Sequence, residues 1–137
     1  MNSAIASSLE ARAESCNIPL DEFSDIVNSG DLPIIDVREH DEVKVVRVDA
    51  KKFVNIPVKQ FEVALRMDEE AFMSRYHIPK PKFTDQMVLI CRSGRRSKIA
   101  IEIARAHNYS NVRHYDEGTN GWVKVYPHRT VSVPTAE

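Results

Sequence analysis

The sequence predicts an α/β domain with a mainly parallel sheet flanked by helices on both faces. Three observations carry that expectation. Short apolar-rich runs between turn residues recur at 33–37, 53–57, 87–91 and 111–115. Segments of helical period separate them, and strands alternating with helices imply parallel crossovers. The chain has 137 residues, the size of one ordinary domain.

The elements follow in order. Residues 1–17 (MNSAIASSLEARAESCN) are Ser/Ala-rich without a strong period, and a loosely ordered extension is expected there. The domain proper is expected over 18–130 and a C-terminal tail over 131–137. Leu20-Asp21-Glu22-Phe23 opens a helix that Gly30 ends, with Phe23, Ile26 and Val27 on one face. Residues 33–37 read as a strand buried on both faces. The stretch 43–52 (VKVVRVDAKK) reads as a solvated edge strand or loop. A second strand is expected at 53–57, then short helices at 58–66 and 68–76, the latter capped by Asp68.

Pro79-Lys80-Pro81 connects to the clearest strand, Met87-Val88-Leu89-Ile90-Cys91. A helix over 97–108 should bury Ile99, Ala100, Ile103, Ala104 and Ala106. After a fourth strand, a turn at 117–121 should lead to Trp122, read as a packing residue, and a short last helix.

Nineteen Lys+Arg against twenty Asp+Glu give a formal charge of −1, so no basic field recruits nucleic acid or an acidic membrane. Apolar runs stop at about five residues, too short for a spanning helix or a signal core. Neither Cys16 nor Cys91 belongs to a Cys-x-x-Cys pair, and the two make no disulfide framework. A reducing compartment fits. Residues 1–17 hold Glu10 and Glu14 against one Arg12, unlike a transit peptide, so a cytoplasmic location is expected, with a mitochondrial one as the alternative. The five His show no metal-ligand spacing, and no metal is expected. His40 reads as a solvated loop residue and Cys16 as uninvolved.

Chemistry concentrates in Cys91-Arg92-Ser93-Gly94-Arg95-Arg96-Ser97. Cys91 ends a buried strand and the chain turns directly into a helix, at the carboxyl edge of the sheet where ligand crevices form. That turn brings backbone N–H groups and a helix N-terminus near one sulfur, and three Arg add permanent charge. Lowering a thiol from about 8.5 to about 7 takes roughly 2 kcal/mol of thiolate stabilisation, within reach of such groups. The expectation is a reachable thiolate in an amide cradle with an anion site above it. Asp36 closes Ile34-Ile35 at the same edge, where it can accept loop hydrogen bonds or pair with Arg38. Arg38 either lines the crevice or pairs in solvent.

The Cys91–Ser97 loop, with Ile35-Asp36-Val37-Arg38-Glu39 and Asn55-Ile56-Pro57 upstream and Tyr115, Gly118 and Trp122 downstream, resembles the single-domain rhodaneses, the thiosulfate sulfurtransferases. Residues 68–82 also look like the insert of the small eukaryotic heat-shock-associated rhodaneses. The resemblance implies a rhodanese-like fold and a two-step transfer. Cys91 would take the outer sulfur of thiosulfate as a persulfide, then pass it to cyanide, glutathione, another small thiol or a protein thiol. It implies that the loop residues Arg92, Ser93, Gly94, Arg95, Arg96 and Ser97 hold donor and persulfide, with Asp36 and Arg38 in support. It implies no cofactor. The sequence departs from the family where Gly-His-Ile-Pro-Gly-Ala usually precedes Asn-Ile-Pro. Asp49 takes the His place and Lys52 that of the second Gly. Glu117-Gly118 likewise replaces a Gly-Gly pair.

Two rival readings belong to other classes. A Cys-dependent phosphatase or arsenate reductase of related fold would need Cys-x5-Arg, and Ser97 stands where that Arg belongs. A non-catalytic sulfur-sensing or interaction module would not need Cys91.

Overall fold

The computed structural model describes residues 16–132, so residues 1–15 of the expected extension and 133–137 of the expected tail lie outside them. Four parallel strands make the central sheet: β1 (Ile34–Asp36), β3 (Phe53–Asn55), β4 (Met87–Ile90) and β5 (Val112–His114). Their order is β3-β1-β4-β5. A separate antiparallel pair joins β2 (Arg47–Val48) to β6 (Thr130–Val131). The helices are α1 (Leu20–Ser29), α2 (His40–Val45), α3 (Val58–Arg66), α4 (Glu69–Tyr76), α5 (Arg95–Ala106) and α6 (Gly118–Val125).

Side chains alternate across a strand, so each strand feeds two cores. On one face Ile35, Val54, Met87 and Leu89 meet Phe61 and Leu65 of α3, Phe72 of α4, and Ala100, Ile101 and Ala104 of α5. On the other, Ile34, Val88 and Ile90 meet Phe23 and Val27 of α1 and Trp122 of α6. Burying each large side chain stabilises by about 1.5–3 kcal/mol. The expected α/β architecture, helices on both faces, is the one adopted.

Several expectations need correction. The 43–52 stretch is not a solvated strand or loop throughout. Val43 lies in α2 and packs inward, and Val48 of β2 is fully buried. A reciprocal capping box starts α2: Glu39 accepts from the Glu42 N–H, and the Glu42 carboxylate accepts from the Glu39 N–H.

Helix α5 begins at Arg95, and its buried face is Ser97, Ala100, Ile101 and Ala104, at i, i+3, i+4 and i+7. Ile99 is exposed instead. Residues 118–121 are already helical. Asp68 does cap α4, accepting from the Ala71 N–H at 2.7 Å. Cys16 is not in a loose segment: it is buried in the first core, and its carbonyl accepts from the His114 N–H at 2.7 Å.

Candidate active site

The site forms where β4 ends. Cys91 follows Ile90 and keeps the parity of Leu89, so its side chain enters the first core while the chain ahead must turn. The turn closes over the sulfur. The Gly94 N–H donates to Cys91 Sγ at 3.0 Å, and Sγ lies 3.4 Å from Ser97 Oγ. Gly94 has φ +94°, and a Cβ there would meet the Asp116 carbonyl oxygen at 2.4 Å. Only glycine makes this turn without strain.

The loop's carbonyls are held on its far side. Cys91 O accepts from the Thr119 N–H at 2.9 Å and from Thr119 Oγ1 at 3.3 Å, while Arg92 O accepts from the Asn120 N–H at 3.1 Å. These donors belong to the first turn of α6, where N–H groups lack helical partners. Gly118 (φ +64°) permits that approach, since a Cβ would stand 2.4 Å from both carbonyl oxygens. With those carbonyls turned to α6, the Gly94 amide turns toward the sulfur. The first-turn amides of α5 add the positive end of a helix dipole.

Of the loop residues named from sequence, Gly94 and Ser97 touch the thiol directly. Arg92, Ser93 and Arg95 are exposed. Arg92 borders a cavity of about 280 Å³ together with Arg38, Glu42, Val46 and Thr119. Ser93, Gly94 and Arg95 border a second, of about 340 Å³, with Lys98, His114 and Asp116. Arg96 turns instead to α2, gripping both oxygens of Glu42 at 2.5 and 2.8 Å. That guanidinium, helped by the Glu39 N–H and opposed by partial burial, draws the Glu42 carboxyl down to about 2. Arg96 is raised in turn by the same bond.

The expectation of a readily reached sulfur is corrected. Cys91 is 1% exposed and lines neither cavity, because the turn through Gly94 and the first turn of α5 close over it. On the loop side the Gly94 N–H and the Ser97 hydroxyl stand against it.

Asp36 and Arg38 come together at the same edge, both buried. Arg38 Nη2 reaches Asp36 Oδ2 at 2.8 Å and the Val46 carbonyl at 2.8 Å, and the Arg38 N–H donates to Asp36 Oδ1 at 3.0 Å. Arg38 thus pairs with Asp36 and borders the first cavity, and its pairing is buried rather than in solvent. Asn55 braces this turn by donating to the Asp36 and Arg38 carbonyls at 2.9 Å. His40 Nδ1 lies 2.5 Å from Asn55 Oδ1, at the start of α2 rather than in a loop.

Sequence reasoning missed His114. It is 4% exposed on β5, with Nδ1 2.7 Å from Ser97 Oγ. Burial holds its imidazole below the usual range; Asp116 opposes and Lys98 assists. A usable signal was parity: His114 follows buried Val112 by two and so shares its face.

A buried thiol at the carboxyl edge of a parallel sheet, wrapped by a short amide loop that becomes a helix, defines a cysteine-loop α/β protein. Within that class the chain belongs to the rhodanese-like domain family, which residues 19–125 match. It is 32% identical over 108 residues to human thiosulfate:glutathione sulfurtransferase, covering 78% of this chain and 92% of that protein. The solved human single-domain sulfurtransferase TSTD1 superposes with a TM-score of 0.73 at 31% identity, covering 80% of this chain and 96% of that one. The single-domain sulfurtransferase RDL2 of Saccharomyces cerevisiae gives 0.64 at 31% identity, covering 77% and 85%. The chain is therefore of the sulfurtransferase family, as its loop suggested. No helix among the described residues is long and apolar enough to cross a membrane. Two relatives, a putative thiosulfate sulfurtransferase of Schizosaccharomyces pombe and RDL2, are named as mitochondrial.

Proposed function

We propose that the protein moves sulfane sulfur from thiosulfate through a Cys91 persulfide to a thiol or cyanide. In the first step Cys91 Sγ attacks the outer sulfur of thiosulfate. The new S–S bond forms as the old one breaks, and sulfite leaves with the electron pair. In the second, an acceptor thiolate or cyanide attacks the terminal sulfur and returns Cys91 as thiolate. Glutathione suits the acceptor role because two relatives are named for it. A protein thiol meets the same chemical requirement.

The observation that carries this reading is the Gly94 N–H aimed at Cys91 Sγ, inside a loop whose carbonyls α6 draws away. Such a cradle stabilises negative charge on the first or second sulfur without reorganising. Arg92 and Arg95, exposed beside the two cavities, are placed to attract the dianionic donor. Arg38 supports the first cavity's wall, and Asp36 fixes Arg38. Phosphate-ester chemistry is disfavoured because Ser97 holds the place of the gripping Arg, and Arg96 is occupied by Glu42.

Intact mass spectrometry after thiosulfate treatment tests the proposal. Wild type should gain about 32 Da, one sulfur, reversed by dithiothreitol and absent from Cys91→Ser. No gain in wild type, or an equal gain in Cys91→Ser, overturns it. A parallel phosphatase assay, expected blank, separates the rival chemistry.

A further inference from the structure

Ser97 has one hydroxyl proton and three polar neighbours within reach. They are Cys91 Sγ at 3.4 Å, the Gly94 carbonyl at 3.2 Å and His114 Nδ1 at 2.7 Å. A carbonyl only accepts, whereas a thiol and an imidazole nitrogen can each donate or accept. While Cys91 is a thiol, its S–H donates to Ser97 Oγ and the Ser97 proton goes to His114 Nδ1 or to the carbonyl. Once Cys91 is a thiolate, the Ser97 O–H donates to the sulfur, and Oγ then has room for a donor. His114 Nδ1–H is the neighbour that can supply one. The charge on the sulfur and the proton on the imidazole are therefore tied through one buried hydroxyl.

We infer that His114, acting through Ser97, is the proton acceptor that sets the Cys91 thiolate. The inference rests on Cys91 being the reacting group. The Cys91 S–H bond breaks and its proton passes to Ser97 Oγ. The Ser97 O–H proton passes to His114 Nδ1 in the same movement. The products are a thiolate, a re-formed hydroxyl turned to sulfur, and an imidazolium, with net charge unchanged. The imidazolium stays paired with the thiolate through Ser97, at the edge of the cavity of about 340 Å³ that His114 borders. Burial and Lys98 hold the His114 imidazole below its ordinary value while Asp116 pulls the other way, and Arg95 lines the same cavity. The Gly94 N–H donates to the sulfur at 3.0 Å. His114 touches no substrate in this scheme. It is a positioning residue for the proton on Cys91.

The test follows iodoacetamide alkylation of the Cys91 peptide by mass spectrometry from pH 5 to 10, which reads the thiolate without sulfur transfer and ignores Cys16. Wild type, Ser97→Ala, His114→Asn and His114→Phe are compared. Asn places an amide near Nδ1, so it keeps a hydrogen bond to Ser97 but cannot carry the proton. The expected result is that Ser97→Ala and His114→Asn both move the profile to higher pH, with alkylation at pH 7 slowed about tenfold for each unit moved. Profiles of Ser97→Ala and His114→Asn that superpose on wild type overturn the inference. So does a shift in His114→Phe that His114→Asn fully restores, since packing and hydrogen bonding alone would then suffice. Should His114→Phe not fold, Ser97→Ala and His114→Asn decide. Thiosulfate loading is measured on the same samples. Shifted profiles without sulfur gain in wild type support the relay and sink the transfer reading, while sulfur gain with superposed profiles does the reverse.

Discussion

At the scale of single residues, the charges near the sulfur fall into two kinds. Arg92 and Arg95 face solvent beside cavities, whereas Arg38 and Arg96 are each committed to a carboxylate. The Glu42–Arg96 pair joins the first turn of α5 to α2, and it makes stability depend on pH. Glu42 is drawn from its ordinary 4.5 to about 2 in the folded chain. A depressed carboxyl contributes stability that is complete above the unfolded value and is lost as pH falls through the folded one. Its contribution is therefore present at pH 7 and fades between about 4.5 and 2. Both partners are partly exposed, so screening limits it to about 1 kcal/mol. Denaturant titrations of wild type and Glu42→Gln should differ by that amount at pH 7, and the gap should close as pH approaches 2. A gap that is constant with pH would mean that the bond's ionic character contributes nothing.

At the scale of elements, the loop depends on α6 as much as on its own residues. The α6 N-terminus takes the carbonyls of Cys91 and Arg92, and Gly118 lets the two backbones approach. Gly118→Ala should lower stability by about 1–3 kcal/mol and also slow sulfur loading of Cys91 several-fold, because a Cβ would press on both carbonyls. Asp68→Ala is the control: loss of the α4 cap costs about 1 kcal/mol without approaching the site. Equal loading rates in the two variants would refute the idea that α6 shapes the cradle. The same elements show what the sequence could and could not reveal. The Cys91 loop was legible because strand end, Gly94, cations and helix start are contiguous. Helix α2 was not, since its six residues carry a valine alternation that reads as extended, and a capping box decided otherwise. The Ser97–His114 contact was not legible either, because it depends on the β4–β5 register that sets Leu89 opposite His114.

At the scale of the molecule, one sheet of short strands serves two cores, and neither core can keep its own half. Leu89 and Val88 are neighbours on β4, yet one packs toward α3 and α5 and the other toward α1 and α6. Losing the strand from either side exposes both sets, so the faces should unfold together. Trp122 is the chain's single Trp and is fully buried on the α1–α6 face, edge-on to Phe23 at 5.5 Å. Its fluorescence therefore reports that face alone, while far-UV circular dichroism reports the whole backbone. Phe61 lies wholly buried on the opposite face. Truncation to Ala there removes a core side chain and should cost about 3–5 kcal/mol. If the sheet couples the cores, Phe61→Ala lowers the Trp122 midpoint as far as the circular dichroism midpoint, and the two curves coincide in both proteins. A Trp122 transition that holds its wild-type midpoint while the backbone signal moves would mean that the faces unfold separately. The thiol cradle would then stand divided, because the loop roots in the first core through Cys91 and Ser97 while the helix that holds its carbonyls roots in the second through Trp122.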